Sequence, residues 1–202
     1  MKSLFILAFL SFNIFVFASD NDTTKTKQKL PSVSLKNIDG ESVDFSTYGT
    51  NGKITVISFW ATWCKPCLKE LRNLNDLLEE WEELYNVELV AVSVDDSRNV
   101  PRVKPFASGQ GWNFDILLDP NGELQRDMNV ANPPATFLVD AAGDIVYTHT
   151  GYLEGDELDL EEEIKKAAGV TDASAKTDTD KDKDKDKDKD KAKEKDKSKD
   201  KK

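Results

Sequence analysis

Hydrophobic and polar positions change rhythm several times along this chain, and each change marks an element. Val33 and Leu35 alternate with serine and lysine, Asp39-Gly40 supplies a turn, and Val43 and Phe45 alternate again, which predicts a β-hairpin. After a second turn region at 49–52, residues 53–60 form a β-branched and aromatic run typical of a buried strand. From Pro66 to Tyr85 the apolar residues Leu68, Leu71, Leu74, Leu77, Leu78, Trp81 and Leu84 define one helical face, with Glu79, Glu80, Glu82 and Glu83 mostly outside it.

Further along, residues 87–94 are nearly continuous in Val, Leu and Ala, as in a strand covered on both faces. A helix follows over 100–108, interrupted by Pro105, then a strand over 114–118 and a turn at 119–122. The pattern closes with a short helix over 123–128, a strand over 136–139, a turn at 142–144, an antiparallel return over 145–149 and a helix over 156–168. The order β-hairpin, β, α, β, α, β, ββα implies an α/β fold, a central mixed sheet flanked by helices.

The two ends do not share this patterning. Lys2 precedes an apolar stretch over 4–17, broken only by Ser11 and Asn13, and Val16 and Ala18 fit a small-residue cleavage site. The stretch is shorter than the ~20 residues of a membrane-spanning helix, so residues 1–18 read as a signal peptide for export. Residues 19–29 are polar and read as a linker to a domain over 30–170. Residues 171–202 hold 13 Lys and 11 Asp or Glu, largely alternating. A helix would set like charges at i and i+4 there, and nothing apolar is available to bury, so this tail is expected to be disordered.

Without the tail, the chain carries 15 basic and 27 acidic residues. Such an acidic domain argues against a nucleic-acid groove, which needs concentrated Lys and Arg. The alternative that the tail itself is a tethering module is weakened by its near-neutral balance.

The only two cysteines, Cys64 and Cys67, lie three positions apart between the buried strand and the long helix. Closing so short a loop stabilises little through chain entropy, so redox work explains the pair better than stapling. A zinc site needs four ligands, and the chain offers no second cysteine pair and only His149. A thiolate at a helix N-terminus is stabilised by unpaired N–H groups and the positive end of the dipole. Cys64 is therefore the expected attacking sulfur and Cys67, inside the first turn, the resolving one. Pro66 suits an opening turn because its missing N–H is not needed there, and Lys65 adds a nearby positive charge. Exchange between sulfurs requires no metal or organic cofactor. Peroxidases place the attacking cysteine without a partner three residues on, and Sco-like copper delivery needs another cysteine spacing and a well-placed histidine.

The segment Phe59-Trp60-Ala61-Thr62-Trp63-Cys64-Lys65-Pro66-Cys67-Leu68-Lys69-Glu70-Leu71 resembles the active site of the thioredoxin superfamily in its TlpA/ResA-like branch. Pro133-Pro134-Ala135-Thr136-Phe137-Leu138-Val139-Asp140, followed by Gly143, resembles the family's second landmark. The resemblance covers about residues 30–168. It implies a thioredoxin-like fold and thiol–disulfide oxidoreductase activity. Pro134 then becomes the cis-proline beside the disulfide, which keeps metals from the dithiol. Glu70 becomes an acidic residue that tunes thiol acidity. Trp63 shields the thiols, and Trp63, Lys65, Pro66 and Pro133 form the substrate-contacting surface.

Two positions depart from the family pattern. Ser58 stands where thioredoxin has a buried aspartate, which moves acid–base duty towards Glu70 or water. Pro133 lacks the N–H that the family offers to a substrate backbone. The branch further implies a monomeric reductant of the bacterial periplasm or cell envelope, acting on protein disulfides, for example in cytochrome c maturation. Such a reductant would be fed by a membrane donor of the DsbD or CcdA type. A disulfide-forming oxidant is the enzymatic alternative. Asp95 and Asp96, at a strand end, are candidates to flank the site, and His149 reads as a surface or edge residue.

Overall fold

The structure, a computed structural model, describes residues 28–170. The expected signal peptide, most of the linker and the charged tail lie outside the described residues. Among the described residues the strands are β1 (Ser34–Asn37), β2 (Ser42–Asp44), β3 (Ile54–Trp60), β4 (Val87–Ser93), β5 (Asp115–Leu118), β6 (Ala135–Val139) and β7 (Ile145–Thr150). They form one sheet in the order β2-β1-β5-β4-β3-β6-β7. β4 runs parallel to β3 and β5, while the two flanks of the sheet are antiparallel. The helices are α1 (Lys65–Tyr85), α2 (Val100–Gln110), α3 (Glu123–Asp127) and α4 (Asp156–Ala167). This is the mixed α/β sandwich that the element order implied, with the thioredoxin-like fold that the resemblance implied.

All seven residues of β3 are buried, which explains its unbroken apolar run: helices or loops cover both of its faces. Alternation then assigns its side chains. Val56 packs with Leu74, Leu78 and Trp81 of α1 and with Leu160 and Ile164 of α4. Ile57 and Phe59 join Phe45, Tyr48, Leu124 and Phe137 on the opposite face. Ser58 and Trp60 therefore share the α1 face with Val56, which brings Ser58 under the helix that starts at the cysteines.

Three local differences from the sequence pattern have identifiable causes. Phe45 does not end the hairpin. The Asp44 carboxylate accepts the Ser46 N–H at 3.0 Å, turning the chain into a 3-10 segment, Phe45–Gly49, that carries Phe45 into the core. Leu84 is exposed because the buried spacing Leu74, Leu78, Trp81 continues to Tyr85, which packs against the core in its place. The chain also joins the sheet before Leu30: Lys29 bridges Asp144, and the Gln28 carbonyl accepts the Ile145 N–H at 2.8 Å.

The turn from β6 to β7 depends on one glycine. Gly143 has a φ of +81°, and a Cβ there would lie 1.9 Å from the Gly49 carbonyl oxygen. Both backbone conformation and space exclude a side chain. Gly143→Ala is expected to destabilise the domain by roughly 3 kcal/mol, read as a lower urea midpoint at unchanged slope. A midpoint equal to wild type would show that the Gly49 loop yields freely.

Candidate active site

β3 ends at Trp60, and residues 61–63 lead into α1, so the cysteines stand at the edge of the sheet where its central strands finish. That short connection is held firmly. The buried Asp95 carboxylate, just past β4, accepts the Thr62 N–H at 2.8 Å, the Thr62 hydroxyl at 2.7 Å and the Ser93 hydroxyl at 3.0 Å. Asp95 thus anchors the loop before Cys64. Asp96 instead accepts the N–H groups of Arg98 and Asn99, both at 3.1 Å, and shapes the entry to α2.

Cys64 is the N-cap of α1, and its sulfur accepts the Cys67 N–H at 3.3 Å. A disulfide joins the two, with their Cα atoms 5.3 Å apart. Cys67 is fully buried and Cys64 is 5% exposed, so the outer sulfur is the one within reach of a partner. The free N–H groups of the first helical turn favour negative charge on Cys64 when the bond is reduced. Lys65 and Pro66 are exposed beside it. Trp63 is 62% exposed, presenting an apolar ring to solvent next to the disulfide.

The peptide between Pro133 and Pro134 is cis, as the second landmark implied. Ala135 pairs with Phe59 across β6 and β3, which sets Pro134 at the same end of the sheet as the cysteines. Pro134 is buried, and its carbonyl accepts the Gly151 N–H at 2.9 Å, while Pro133 is partly exposed.

Glu70, three residues after Cys67 on the same buried side of α1, is only 4% exposed. A solvated helix residue is thereby excluded. Its carboxylate accepts the Ser58 hydroxyl at 3.1 Å and a short hydrogen bond from the Thr136 hydroxyl. Burial pushes the Glu70 carboxyl up to about 7. The Thr136 and Ser58 hydrogen bonds and the nearby His149 oppose that rise, and Asp156 adds to it. Ser58 is consequently more than a missing aspartate: it holds a carboxylate that arrives from the helix instead of the strand.

His149 is not a bare edge residue. Its Nε2 lies 3.1 Å from an Asp156 carboxylate oxygen at the start of α4. It shares a narrow crevice with Glu70, Thr136, Tyr147, Tyr152 and Asp156. No sequence signal pointed to this grouping, because it depends on the pairing of Thr136 with His149 across β6 and β7.

A family model described as the AhpC/TSA family matches residues 26–148. The thioredoxin-like protein YneN of Bacillus subtilis is 33% identical over 138 residues, covering 68% of this chain and 78% of that protein. The thiol-disulfide oxidoreductase ResA of Bacillus cereus is 28% identical over 150 residues, covering 74% and 83%. Among solved structures, the solution structure of a thioredoxin-like protein from Porphyromonas gingivalis superposes with a TM-score of 0.63 and 46% identity, covering 69% of this chain and 92% of that one.

Proposed function

The chain belongs to the AhpC/TSA family and is a thiol–disulfide oxidoreductase of the ResA type, and from that premise we propose that it works as a reductant of protein disulfides in the cell envelope. The observation that carries the direction is the buried Glu70 carboxyl on the dithiol's own helix. Negative charge near a thiolate opposes thiolate formation. A strong oxidant needs the reverse, a very stable thiolate that leaves easily. The acidic carboxyl therefore favours a reducing pair.

In the proposed cycle the reduced protein presents Cys64 as a thiolate at the helix N-terminus. It attacks one sulfur of a partner disulfide, and the partner's other sulfur leaves with the electron pair. Cys67 then attacks Cys64, releasing the second partner thiol and closing the disulfide. Trp63, Lys65 and Pro66, exposed beside the pair, would together with Pro133 offer a partner apolar and polar contacts. Pro133 supplies a carbonyl but no N–H to a substrate backbone. Pro134, just before β6 at the same end of the sheet, would pack against the disulfide.

Export through the segment at 1–18, substrates in cytochrome c maturation and re-reduction by a DsbD- or CcdA-type membrane donor complete the proposal. No helix among the described residues is long and apolar enough to cross a membrane.

The test is the reduction potential of the Cys64–Cys67 pair by glutathione equilibrium, with alkylation of Cys64 followed against pH. A potential near or below about −250 mV is expected. A value near about −120 mV with a strongly acidic Cys64 would turn the assignment to a disulfide-forming oxidant.

A further inference from the structure

Three residues directly opposite one another on adjacent strands must lie on one face of a sheet. Ser58 pairs with Thr136, and Thr136 with His149. The row they form crosses β3, β6 and β7 on the side covered by α1 and α4. Glu70 closes the inner end of the row, accepting from Ser58 and Thr136. At the outer end, His149 bonds Asp156, and its side chain is 36% exposed. Between them runs the crevice whose walls include Glu70, Thr136, His149 and Asp156. The buried carboxyl and the part-exposed imidazole thereby line one crevice.

We propose that His149, held by Asp156, is the positioning residue through which Glu70 exchanges its proton with solvent during disulfide exchange. The inference rests on Glu70 serving the dithiol, as argued above. In the resolving step, the Cys67 thiol gives its proton to the Glu70 carboxylate and the Cys67 sulfur attacks Cys64. The bond from Cys64 to the partner breaks, the electron pair leaves on the partner sulfur, and that thiolate is protonated from water. Near neutral pH the Glu70 carboxyl, raised to about 7, holds a proton in part of the molecules, and it must shed that proton before it can accept the one from Cys67. It is buried, so direct release to water is obstructed, and the imidazole is the group that can accept on one side and donate on the other. A carboxylate on Nε2 orients the ring and stabilises the imidazolium that forms.

The other groups around the crevice do not substitute for His149. Tyr147 stacks on the imidazole, with ring centroids 6.3 Å apart. The hydroxyl of Tyr152 donates to Glu157 at 2.8 Å and accepts from Asn73 at 2.6 Å, and burial raises its proton affinity further. Against the upward push of burial, Glu157 is held low by its own N–H, Tyr152, the Gly155 N–H and Asn73. Lys69 of α1 pairs with Glu154 outside the crevice. The imidazole is the group on the crevice wall that can take up a proton at one nitrogen and give one from the other.

Reduced full-length protein would be mixed with oxidised glutathione from pH 5.5 to 9 and quenched in acid. Mass spectrometry then separates glutathionylated Cys64 from the closed disulfide, so adduct formation and resolution are timed apart. His149→Ala is expected to leave adduct formation unchanged and slow resolution about tenfold, with recovery on addition of free imidazole. Asp156→Asn, a second variant that keeps the imidazole, should slow resolution in the same direction. In a Glu70→Gln background, His149→Ala should add nothing.

Wild-type resolution and an unchanged pH profile in both single variants, with Glu70→Gln slowed, would overturn the relay and leave the role of Glu70 standing. Equal slowing by His149→Ala with and without Glu70, unrescued by imidazole, would also overturn it. Wild-type resolution in Glu70→Gln itself would instead locate the failure in the role given to Glu70.

Discussion

Cys67→Ser is expected to capture its substrate: turnover falls by at least about a thousandfold, and a covalent adduct accumulates on Cys64. The asymmetry of the site dictates this result. Cys64 caps the helix and retains a little exposure, whereas Cys67 sits inside the first turn with none. An incoming disulfide therefore meets the Cys64 sulfur first. Without the Cys67 thiol the mixed disulfide has no internal nucleophile, and release depends on an external thiol. Cys64→Ser should lose turnover to a similar extent but hold no adduct, since the remaining thiol is enclosed. Non-reducing electrophoresis of the two variants after incubation with a disulfide-containing protein separates these outcomes. An adduct on Cys64→Ser and none on Cys67→Ser would exchange the two roles.

The second large effect concerns pH and stability. The Glu70 carboxyl has an ordinary value of 4.5 and is pushed up to about 7 in the fold, burial being the first cause. The carboxyl ionises normally in the unfolded chain but only at a cost in the fold, so its ionisation favours unfolding. The carboxyl's contribution to stability is fully present below pH 4.5 and is lost as pH rises through 7. At about 1.4 kcal/mol per unit, the loss is about 3 kcal/mol. Glu70→Gln stays neutral throughout and keeps a side chain of the same shape under Ser58 and Thr136.

The oxidised forms of the two proteins are therefore expected to unfold in urea at similar midpoints at pH 4.5. At pH 8 the variant should be the more stable by up to about 3 kcal/mol. Parallel pH profiles would mean that Glu70 is ionised in the fold at little cost. Stability and chemistry draw on the same feature here: the burial that disfavours the Glu70 carboxylate also makes it an effective proton acceptor close to neutral pH.

The difference between the cysteines and Glu70 shows what kind of information a sequence holds. A strand, a turn and a helix that follow one another determine the position of Cys64 and Cys67, because all the geometry involved is local. Helix N-termini attract negative charge wherever they occur. The hydrophobic rhythm likewise determined nearly every element, since burial on one face or two leaves a direct trace in residue order. The second landmark located the cis peptide at Pro134 through resemblance.

Glu70, by contrast, is a glutamate among many on a long helix, and helical spacing alone left it as easily solvated as buried. Its environment is assembled from Ser58, 12 residues away in sequence, and Thr136, 66 away. Their meeting follows from the register of β3 against β6, and that of His149 from β6 against β7. Asp95 is similar: as a strand-end acid it could have pointed to solvent, and only the packing of β4 beside β3 brings it under Thr62. The sequence by itself therefore determined the fold class and the position of the cysteine pair. The tertiary structure alone decided which acids and bases are gathered behind it, because strand register and burial are collective properties that no single segment encodes.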